Sequence, residues 1–173
     1  NIDVSSDPSS AAFFVIQTLL SKNAKLRISN VYINKTRIGF IYLLKKMGGK
    51  ISIINKKTNF GEPVGDIVCE SSFLKNINYN SSVVPAPYLI DEFPAIFCAA
   101  ALSNGISYFK DISELAFKES NRILSVSKIL KEFNIKTKYS KNSLKIYGNS
   151  NIKINKKIII PRMMDHRVCM SAF

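Results

Sequence analysis

The chain has 173 residues, of which 46% are hydrophobic and 21% are charged. A chain of this length and composition can bury a sizeable core, which excludes an intrinsically disordered protein. Its most hydrophobic stretch, residues 88–102, is interrupted by Asp91 and Glu92 and falls short of the roughly 20 apolar residues that a membrane-spanning helix needs. We therefore expect a soluble, cytoplasmic protein with no membrane segment.

The cysteine and histidine contents argue against disulfide-rich and zinc-binding proteins. Three cysteines and one histidine are spread widely along the chain, so the sequence predicts neither a disulfide framework nor a metal site. The chain opens with Asn1 and lacks a basic segment followed by an apolar one. We therefore expect no signal peptide and a start inside a longer polypeptide.

The formal net charge of +13 is large for a chain of this size. Such a charge is typical of proteins that bind nucleic acid. The lysines, however, are dispersed among Asn, Ile and Ser residues, and no nucleic-acid-binding motif occurs among them. We expect no nucleic-acid partner and attribute the charge to biased composition and anionic substrates. A basic, non-enzymatic nucleic-acid-binding module is the alternative from another functional class.

The first half of the chain predicts two helices and three strands. The helices are expected over residues 7–21 and 36–47, and the strands over residues 25–31, 51–54 and 66–70. Asp7 suits the cap of the first helix and Pro8 its first position, while Gly48 suits the end of the second. Together these elements form a unit of order αβαββ.

The same order recurs in the second half. Helices are expected from Asp91 to about residue 103 and over residues 118–133, and strands over residues 106–110, 136–139 and 143–147. Asn134 suits the end of the second of these helices, as Gly48 does in the first unit. The sequence thus predicts an α/β fold with repeat units at 1–88 and 89–160, and a third copy that begins at Asp165. If the units pack around a pseudo-threefold axis, their helix N-termini converge on a site suited to an anion.

Lys118, Glu119 and Arg122 are the first candidate site residues. The pattern places them at the start of the helix over residues 118–133, where the helix dipole disfavours positive charge and a bound anion would offset the mismatch. The alternative is a solvated first turn with an ion pair within the helix.

Asp91 is a candidate carboxyl in addition to Glu119. It lies beside Glu92 and precedes a strongly apolar helix. Two carboxyls in different surroundings can divide the duties of acid and base, which makes Asp91 and Glu119 candidates for proton transfer. The alternative for Asp91 is a helix cap.

The only histidine, His166, follows Asp165, which suits a helix cap, and precedes Arg167 at the start of the third repeat unit. A His-Arg pair at a helix N-terminus suits an anion pocket, and a purely structural histidine is the alternative. Arg37 holds the equivalent place in the first unit, with a surface ion pair as its alternative.

Six segments, taken in order, resemble the 5-enolpyruvylshikimate-3-phosphate synthase family in its bacterial class II form. They are Asp7-Pro8-Ser9-Ser10-Ala11-Ala12-Phe13-Phe14, Asn34-Lys35-Thr36-Arg37-Ile38-Gly39, Glu62-Pro63-Val64-Gly65-Asp66-Ile67, Leu89-Ile90-Asp91-Glu92, Lys118-Glu119-Ser120-Asn121-Arg122 and Asp165-His166-Arg167-Val168-Cys169-Met170-Ser171. The resemblance spans nearly the whole chain. It depends on the joint order and spacing of the segments more than on any one of them.

The resemblance implies a two-lobed enzyme whose lobes are inside-out α/β barrels of βαβαββ units, with this chain an incomplete part of one lobe. Family members transfer the enolpyruvyl group of phosphoenolpyruvate to the 5-hydroxyl of shikimate 3-phosphate and release phosphate. The resemblance implies no metal or other cofactor, a monomer when complete, and no activity of this chain on its own. The sibling transferase that acts on UDP-N-acetylglucosamine is the nearest alternative, and a degenerate, inactive relative is another.

The resemblance also implies roles for individual residues. Asp91, Glu119 and Lys118 would be catalytic, and Lys118 would also contact shikimate 3-phosphate. The residues that would bind phosphoenolpyruvate are Arg122, Arg167 and His166. Asn121 stands where the family pattern has an acid, and Ala116 where it has an arginine. We expect these two departures to loosen the support of Glu119 or Arg122.

Overall fold

A computed structural model describes residues 4–154, 157–160 and 165–172. Asn1, on which the expectation of an internal start depends, lies outside this range. The helices are α1 (Pro8–Leu20), α2 (Gly39–Lys46), α3 (Phe93–Ala101), α4 (Arg122–Glu132) and α5 (His166–Met170). The strands are β1 (Lys25–Tyr32), β2 (Lys50–Asn59), β3 (Glu62–Glu70), β4 (Asn78–Tyr79), β5 (Gly105–Lys110), β6 (Thr137–Tyr139) and β7 (Ser143–Gly148). Short 3-10 helices cover Ala86–Leu89 and Ser113–Phe117.

The first sheet has the strand order β1-β3-β2, with both pairs antiparallel. Ser6, just before α1, adds a parallel bridge to Val31 at the outer edge of β1. Each strand ladder is interrupted by an irregularity beside an asparagine in the left-handed conformation, Asn30 in β1 and Asn55 in β2. The carboxylate of Asp66 in the central strand accepts hydrogen bonds from the Asn30 backbone and the Asn55 side chain, and it thereby fixes both irregularities.

The second sheet has the order β4-β5-β7-β6 and repeats the first, with β4 in the place of the Ser6 bridge. The unit is therefore βαβαββ, and the predicted α/β fold of repeated units is confirmed. The two-residue strand β4 was not predicted. It lies within the residues assigned to the first unit, before residue 88, but it pairs with β5 of the second sheet.

Two predicted helix starts were wrong. The second helix begins at Gly39 rather than residue 36, because the side chain of Asn34 accepts hydrogen bonds from the backbone and hydroxyl of Thr36 and holds a turn there. The fourth helix begins at Arg122 rather than residue 118, because Asn121 caps it by accepting from the Leu124 backbone N–H. Lys118 is extended and follows the 3-10 helix, so the helix dipole does not act on it as predicted.

The expectation that Asp91 opens the third helix was also wrong. The helix begins at Phe93, the cap position belongs to Glu92, and neither acid gives it a side-chain cap. Asp91 instead lies in the turn that links the preceding 3-10 helix to α3. Its side chain is therefore available to other partners. The predicted caps Asp7 and Asp165 are confirmed, since each accepts backbone hydrogen bonds from the first turn of its helix.

The predicted stops of α2 and α4 are confirmed and share one geometry. Gly48 and Asn134 both have positive φ angles, of 97° and 59°. In each case the N–H of this residue and the N–H of the one after it donate to carbonyls in the last turn of the helix. This double bond pattern is the Schellman motif, and it satisfies carbonyls that the helix end leaves without partners.

A cluster of aromatic rings holds the start of α3 against the second sheet. Phe93 contacts Tyr79 of β4 at 5.3 Å between ring centroids, and Phe97 contacts Phe109 of β5 at 4.8 Å. All four rings are buried. Because Phe93 follows Asp91 and Glu92 directly, this packing fixes the position of the two acids.

Among the helices that the structure describes, none combines the length and the hydrophobicity that a membrane span requires.

Candidate active site

The beginnings of three helices, α3, α4 and α5, meet at one place. Arg122 is the first residue of α4, Asp165 caps α5, and Asp91 lies two residues before α3. α3 packs against α1, α4 and α5, and this central position brings the polar groups of its neighbours together. The site thus combines residues of the second unit with residues at the start of the third.

Arg122 is the centre of the site, and its side chain has no exposed surface. Its Nε donates to Asp165 Oδ2 at 2.9 Å, and one terminal nitrogen donates to Glu119 Oε2 at 2.7 Å. The other terminal nitrogen donates to Asp91 Oδ1 and to the carbonyl oxygen of Ile90, each at 3.0 Å. One guanidinium therefore joins three carboxylates from separate segments of the chain.

Arg122 and Asp165 keep each other charged despite their burial. Burial lowers the pKa of Arg122, but hydrogen bonds to Asp165 and Asp91 outweigh this and raise it overall. Burial alone would raise the pKa of Asp165. The hydrogen bond and the positive charge of Arg122 outweigh this effect, and the pKa of Asp165 is lowered overall. Asp165 also accepts from the Ser120 hydroxyl at 3.2 Å. A buried charge of this kind persists only where such partners surround it.

Asp91 bridges two arginines. One of its oxygens binds Arg122, and the other lies 3.3 Å from a terminal nitrogen of Arg167, which belongs to α5. About a third of the Asp91 side chain is exposed, and a fifth of the Arg167 side chain. The pair therefore lies at the boundary between the buried guanidinium and solvent, where a ligand can reach it.

The remaining predicted residues form the open side of the site. Glu119 binds Arg122 but about half of its side chain is exposed. Lys118 and His166 are exposed, and neither forms an ion pair with a residue that the structure describes. The structure thus brings Asp91, Glu119, Arg122 and Arg167 into direct contact and leaves Lys118 and His166 beside them in the chain, with their side chains free of the network.

One polar group beside the site, Glu92, was not predicted as functional. Only 3% of its surface is exposed, and this burial raises the pKa of its carboxyl. The sequence gives no local signal for this burial. The only available indication was a Glu between a candidate acid and an apolar helix, where a charge is unexpected.

The whole chain, residues 1–173, matches the family model described as EPSP synthase (3-phosphoshikimate 1-carboxyvinyltransferase). The chain belongs to the EPSP synthase family. Among curated relatives, it is 40% identical over 168 residues to the 3-phosphoshikimate 1-carboxyvinyltransferase of Petrotoga mobilis, covering 97% of this chain. It is 38% identical over 171 residues to that of Clostridium tetani, covering 99% of this chain. It spans 38% of the length of each of these relatives.

Solved structures agree with the family assignment. An EPSP synthase from Acinetobacter baumannii superposes with a TM-score of 0.86 at 36% identity, over 99% of this chain and 39% of that structure. The enolpyruvyl transferase NikO from Streptomyces tendae superposes with a TM-score of 0.60 at 15% identity, over 84% of this chain and 30% of that one. The second likeness shows a shared fold and no more.

The two departures from the EPSP synthase pattern lie close to the site. Asn121 caps α4 with its side-chain oxygen at 3.0 Å from the Leu124 nitrogen, a bond that an acid at this position would also make. The contact between Glu119 and Arg122 is formed beside it. The expected loosening around Asn121 is therefore not seen. Ala116 lies half-buried in the second 3-10 helix and contributes no polar contact to the site.

Proposed function

We propose that the protein containing this chain transfers the enolpyruvyl group of phosphoenolpyruvate to the 5-hydroxyl of shikimate 3-phosphate and releases phosphate, a step of aromatic amino-acid biosynthesis. The observation that carries the proposal is the match of the full chain to the EPSP synthase family, with sequence identities near 40%. The chain contributes one face of the site. We infer that it is inactive alone, since it spans 38% of its relatives.

Phosphoenolpyruvate has a carboxylate that the arginines are suited to bind. We infer that this carboxylate binds Arg122 and Arg167, with His166 beside it, because a guanidinium fork matches a carboxylate in shape and charge. Every described partner of the Arg122 terminal nitrogens is a protein oxygen. The substrate must therefore replace one of them, and Glu119 is the most exposed of the carboxylates.

This replacement would also prepare Glu119 for chemistry. A carboxylate released from its guanidinium partner takes up a proton from solvent more readily, and the resulting carboxylic acid can pass that proton to the reacting carbon. In our proposal, Glu119 delivers a proton to the methylene carbon of phosphoenolpyruvate as the 5-hydroxyl oxygen adds to the neighbouring carbon. It takes a proton back from the resulting methyl group as the carbon–oxygen bond to phosphate breaks. The double bond is thereby restored.

Asp91 is the proposed acceptor of the proton of the attacking hydroxyl. It is held by Arg122 on one oxygen and by Arg167 on the other, so its position is fixed before substrate binds. Lys118 is proposed to contact shikimate 3-phosphate and the reacting groups, since its side chain is exposed and unpaired within the described residues. Its positive charge would stabilise the anionic intermediate.

The proposal needs no metal or organic cofactor, because general acid–base catalysis and fixed cations supply each step. We further propose a monomeric, cytoplasmic enzyme with no nucleic-acid partner. The transferase that acts on UDP-N-acetylglucosamine is the runner-up, and the Lys118-Glu119-Ser120-Asn121-Arg122 segment favours the shikimate branch.

The test uses the full polypeptide of which this chain is part. It measures phosphate release from phosphoenolpyruvate with and without shikimate 3-phosphate. The matched variants are Glu119→Gln and Glu132→Gln, the second at the far end of α4. We expect release that needs both substrates, falls at least about 100-fold in Glu119→Gln and is unchanged in Glu132→Gln. No release from the folded polypeptide would refute the proposal. Release with UDP-N-acetylglucosamine alone as acceptor would favour the runner-up.

A further inference from the structure

The second sheet has an outer face of lysines and tyrosines. Its inner face is apolar, with Phe109 and Leu144 fully buried on the side of the helices. The alternate residues of the same strands point the other way. They are Ile106, Tyr108 and Lys110 of β5, Lys145 and Tyr147 of β7, Lys138 of β6, and Lys136 directly before β6. We call these residues the basic face, because the four strands of this sheet contain no Asp or Glu.

Two lysines of the basic face lie directly opposite each other. Lys138 pairs with Lys145 in the strand register, and Lys145 pairs on its other side with Tyr108. Opposite residues on antiparallel strands have Cβ atoms about 5 Å apart, and like charges in such a pair destabilise the sheet. No lysine of the basic face forms an ion pair with a residue that the structure describes. The repulsion between the two lysines is therefore not offset within this part of the chain.

The first sheet neutralises its own cations. Glu70 of the central strand β3 lies opposite Lys25 on one side and Lys50 on the other, and it binds Lys25 at 2.7 Å. Arg27, two residues further along β1, binds Asp66 of β3 at 2.6 Å. The uncompensated positive charge is therefore a feature of the second sheet and not of the repeat unit as such.

The lysine nitrogens of the basic face lie over its tyrosine rings. Nζ of Lys110 is 5.0 Å from the centroid of the Tyr108 ring. Nζ of Lys136 and Nζ of Lys145 are 5.3 Å and 5.7 Å from the centroid of the Tyr147 ring. Single-stranded nucleic acids bind such surfaces by stacking bases on open aromatic rings, and the lysines occupy ring faces that stacking needs. Carboxylates can bind the ammonium groups where they lie, so the geometry favours an acidic peptide over a nucleic acid.

We propose that the basic face binds an acidic, extended segment of a partner protein, whose carboxylates offset the repulsion between Lys138 and Lys145. Lys136 and Lys138 are two positions apart, a spacing of about 6.8 Å that alternate residues of an extended peptide reproduce. An acid at every second position of the segment therefore meets these lysines in register. The tyrosines suit such a surface, since tyrosine is enriched at protein–protein interfaces. The proposal does not depend on the transferase reaction, because no residue of the basic face belongs to the candidate active site.

The experiment measures, by fluorescence anisotropy, how tightly the full polypeptide binds a labelled peptide in which Glu and Ser alternate. The variants are Lys145→Glu, Lys138→Glu and the matched control Lys56→Glu. Lys56 is an exposed lysine of β2 with no ion pair in the described residues, and its replacement changes the net charge equally. We expect Lys145→Glu and Lys138→Glu to bind at least about 10-fold more weakly than the wild type, and Lys56→Glu within about 3-fold of it. Each variant of the basic face puts opposite charges across from each other, so neither should melt below the wild type.

Further probes separate an acidic peptide from other anions. A peptide with Gln in place of Glu should not bind, and binding of the acidic peptide should weaken as salt rises to about 0.5 M. The proposal is overturned if the acidic peptide does not bind the wild type, as when another segment of the polypeptide covers the basic face. It is also overturned if Lys56→Glu loses as much affinity as Lys145→Glu. Equally tight binding of single-stranded oligouridylate or of phosphatidylserine vesicles would likewise refute it.

Discussion

The Nε atom of Arg122 lies 2.9 Å from Oδ2 of Asp165, and neither side chain has any exposed surface. The two residues are 43 positions apart, and they join α4 of the second unit to the start of α5. Replacing either one leaves the other as a buried charge with fewer partners. The pair is therefore expected to matter more to stability than ion pairs at the surface.

We expect Asp165→Ala to lower the free energy of unfolding by about 3–5 kcal/mol, the usual effect of removing one partner from a buried ion pair. Asp165→Asn should lose less, because asparagine still caps α5. Urea denaturation provides the measurement. The matched control is Glu70→Gln, which breaks the exposed pair with Lys25 and should change stability by less than about 1 kcal/mol. Equal effects of Asp165→Ala and Glu70→Gln would contradict the prediction.

Glu92 gives the protein a specific dependence on pH. Burial raises its pKa above the ordinary 4.5, so the folded protein holds a proton that the unfolded chain releases just above that pH. The contribution of this group to stability therefore falls as the pH rises from 4.5 through the folded pKa. Asp165 acts in the opposite sense, since its lowered pKa stabilises the fold above 3.8 and this contribution is lost as the pH falls.

Glu92→Gln cannot ionise and should remove the first of these two effects. We expect the melting temperature of the wild type to decline relative to that of Glu92→Gln as the pH rises from 4.5 toward neutrality. Melting curves of both proteins across this range provide the measurement. A constant difference between them would show that Glu92 has the same pKa folded and unfolded.

Asn121 replaces an acid of the family pattern without losing the cap of α4. We expect Asn121→Ala to lower the free energy of unfolding by about 1 kcal/mol, because the Leu124 N–H then loses its partner. Asn121→Asp should keep the cap and gain about 0.3–1 kcal/mol from the helix dipole. Chemical denaturation of the three proteins checks the order. A loss in Asn121→Asp equal to that in Asn121→Ala would contradict it.

A side chain is unfavourable at both Gly148 and Gly61, but for different reasons and to different degrees. A Cβ at Gly148 would collide with the carbonyl oxygens of Ser103 and Ala100 at the end of α3, and backbone atoms cannot give way cheaply. Gly61 has open space around it but a φ of 82°. We expect Gly148→Ala to cost several times the roughly 1 kcal/mol of Gly61→Ala. Thermal melts of both variants test this, and a smaller loss at Gly148 would refute it.

Much of the fold could be predicted because its signals are local. Helix periodicity, the caps Asp7 and Asp165 and the stops Gly48 and Asn134 all depend on a few neighbouring residues. β4 could not be predicted in this way, since two residues carry no periodicity and the strand exists only through its pairing with β5. The start of α4 was misplaced because Asn121 and the charged residues before it are all compatible with a first turn.

Four of the candidate site residues, Asp91, Glu119, Arg122 and Arg167, meet in the structure, but their arrangement was not predicted. Charge and spacing indicated Arg122 as a cation at a helix start that a bound anion would offset, whereas the structure buries it among carboxylates that include two lying 31 and 43 residues away. Burial of this kind depends on how α3, α4 and α5 pack, which no local pattern encodes. The burial of Glu92 was missed for the same reason.

The left-handed positions of this fold have a consequence in the unfolded chain. Four of them are asparagines, Asn23, Asn30, Asn55 and Asn134, where many proteins place glycine. In the unfolded chain, glycine samples far more backbone conformations than asparagine. A chain with asparagine at these turns therefore loses less conformational entropy when it folds. Each turn accepts a modest local strain in return. Asparagine at these turns therefore stabilises the fold in part by lowering the conformational entropy of the unfolded chain.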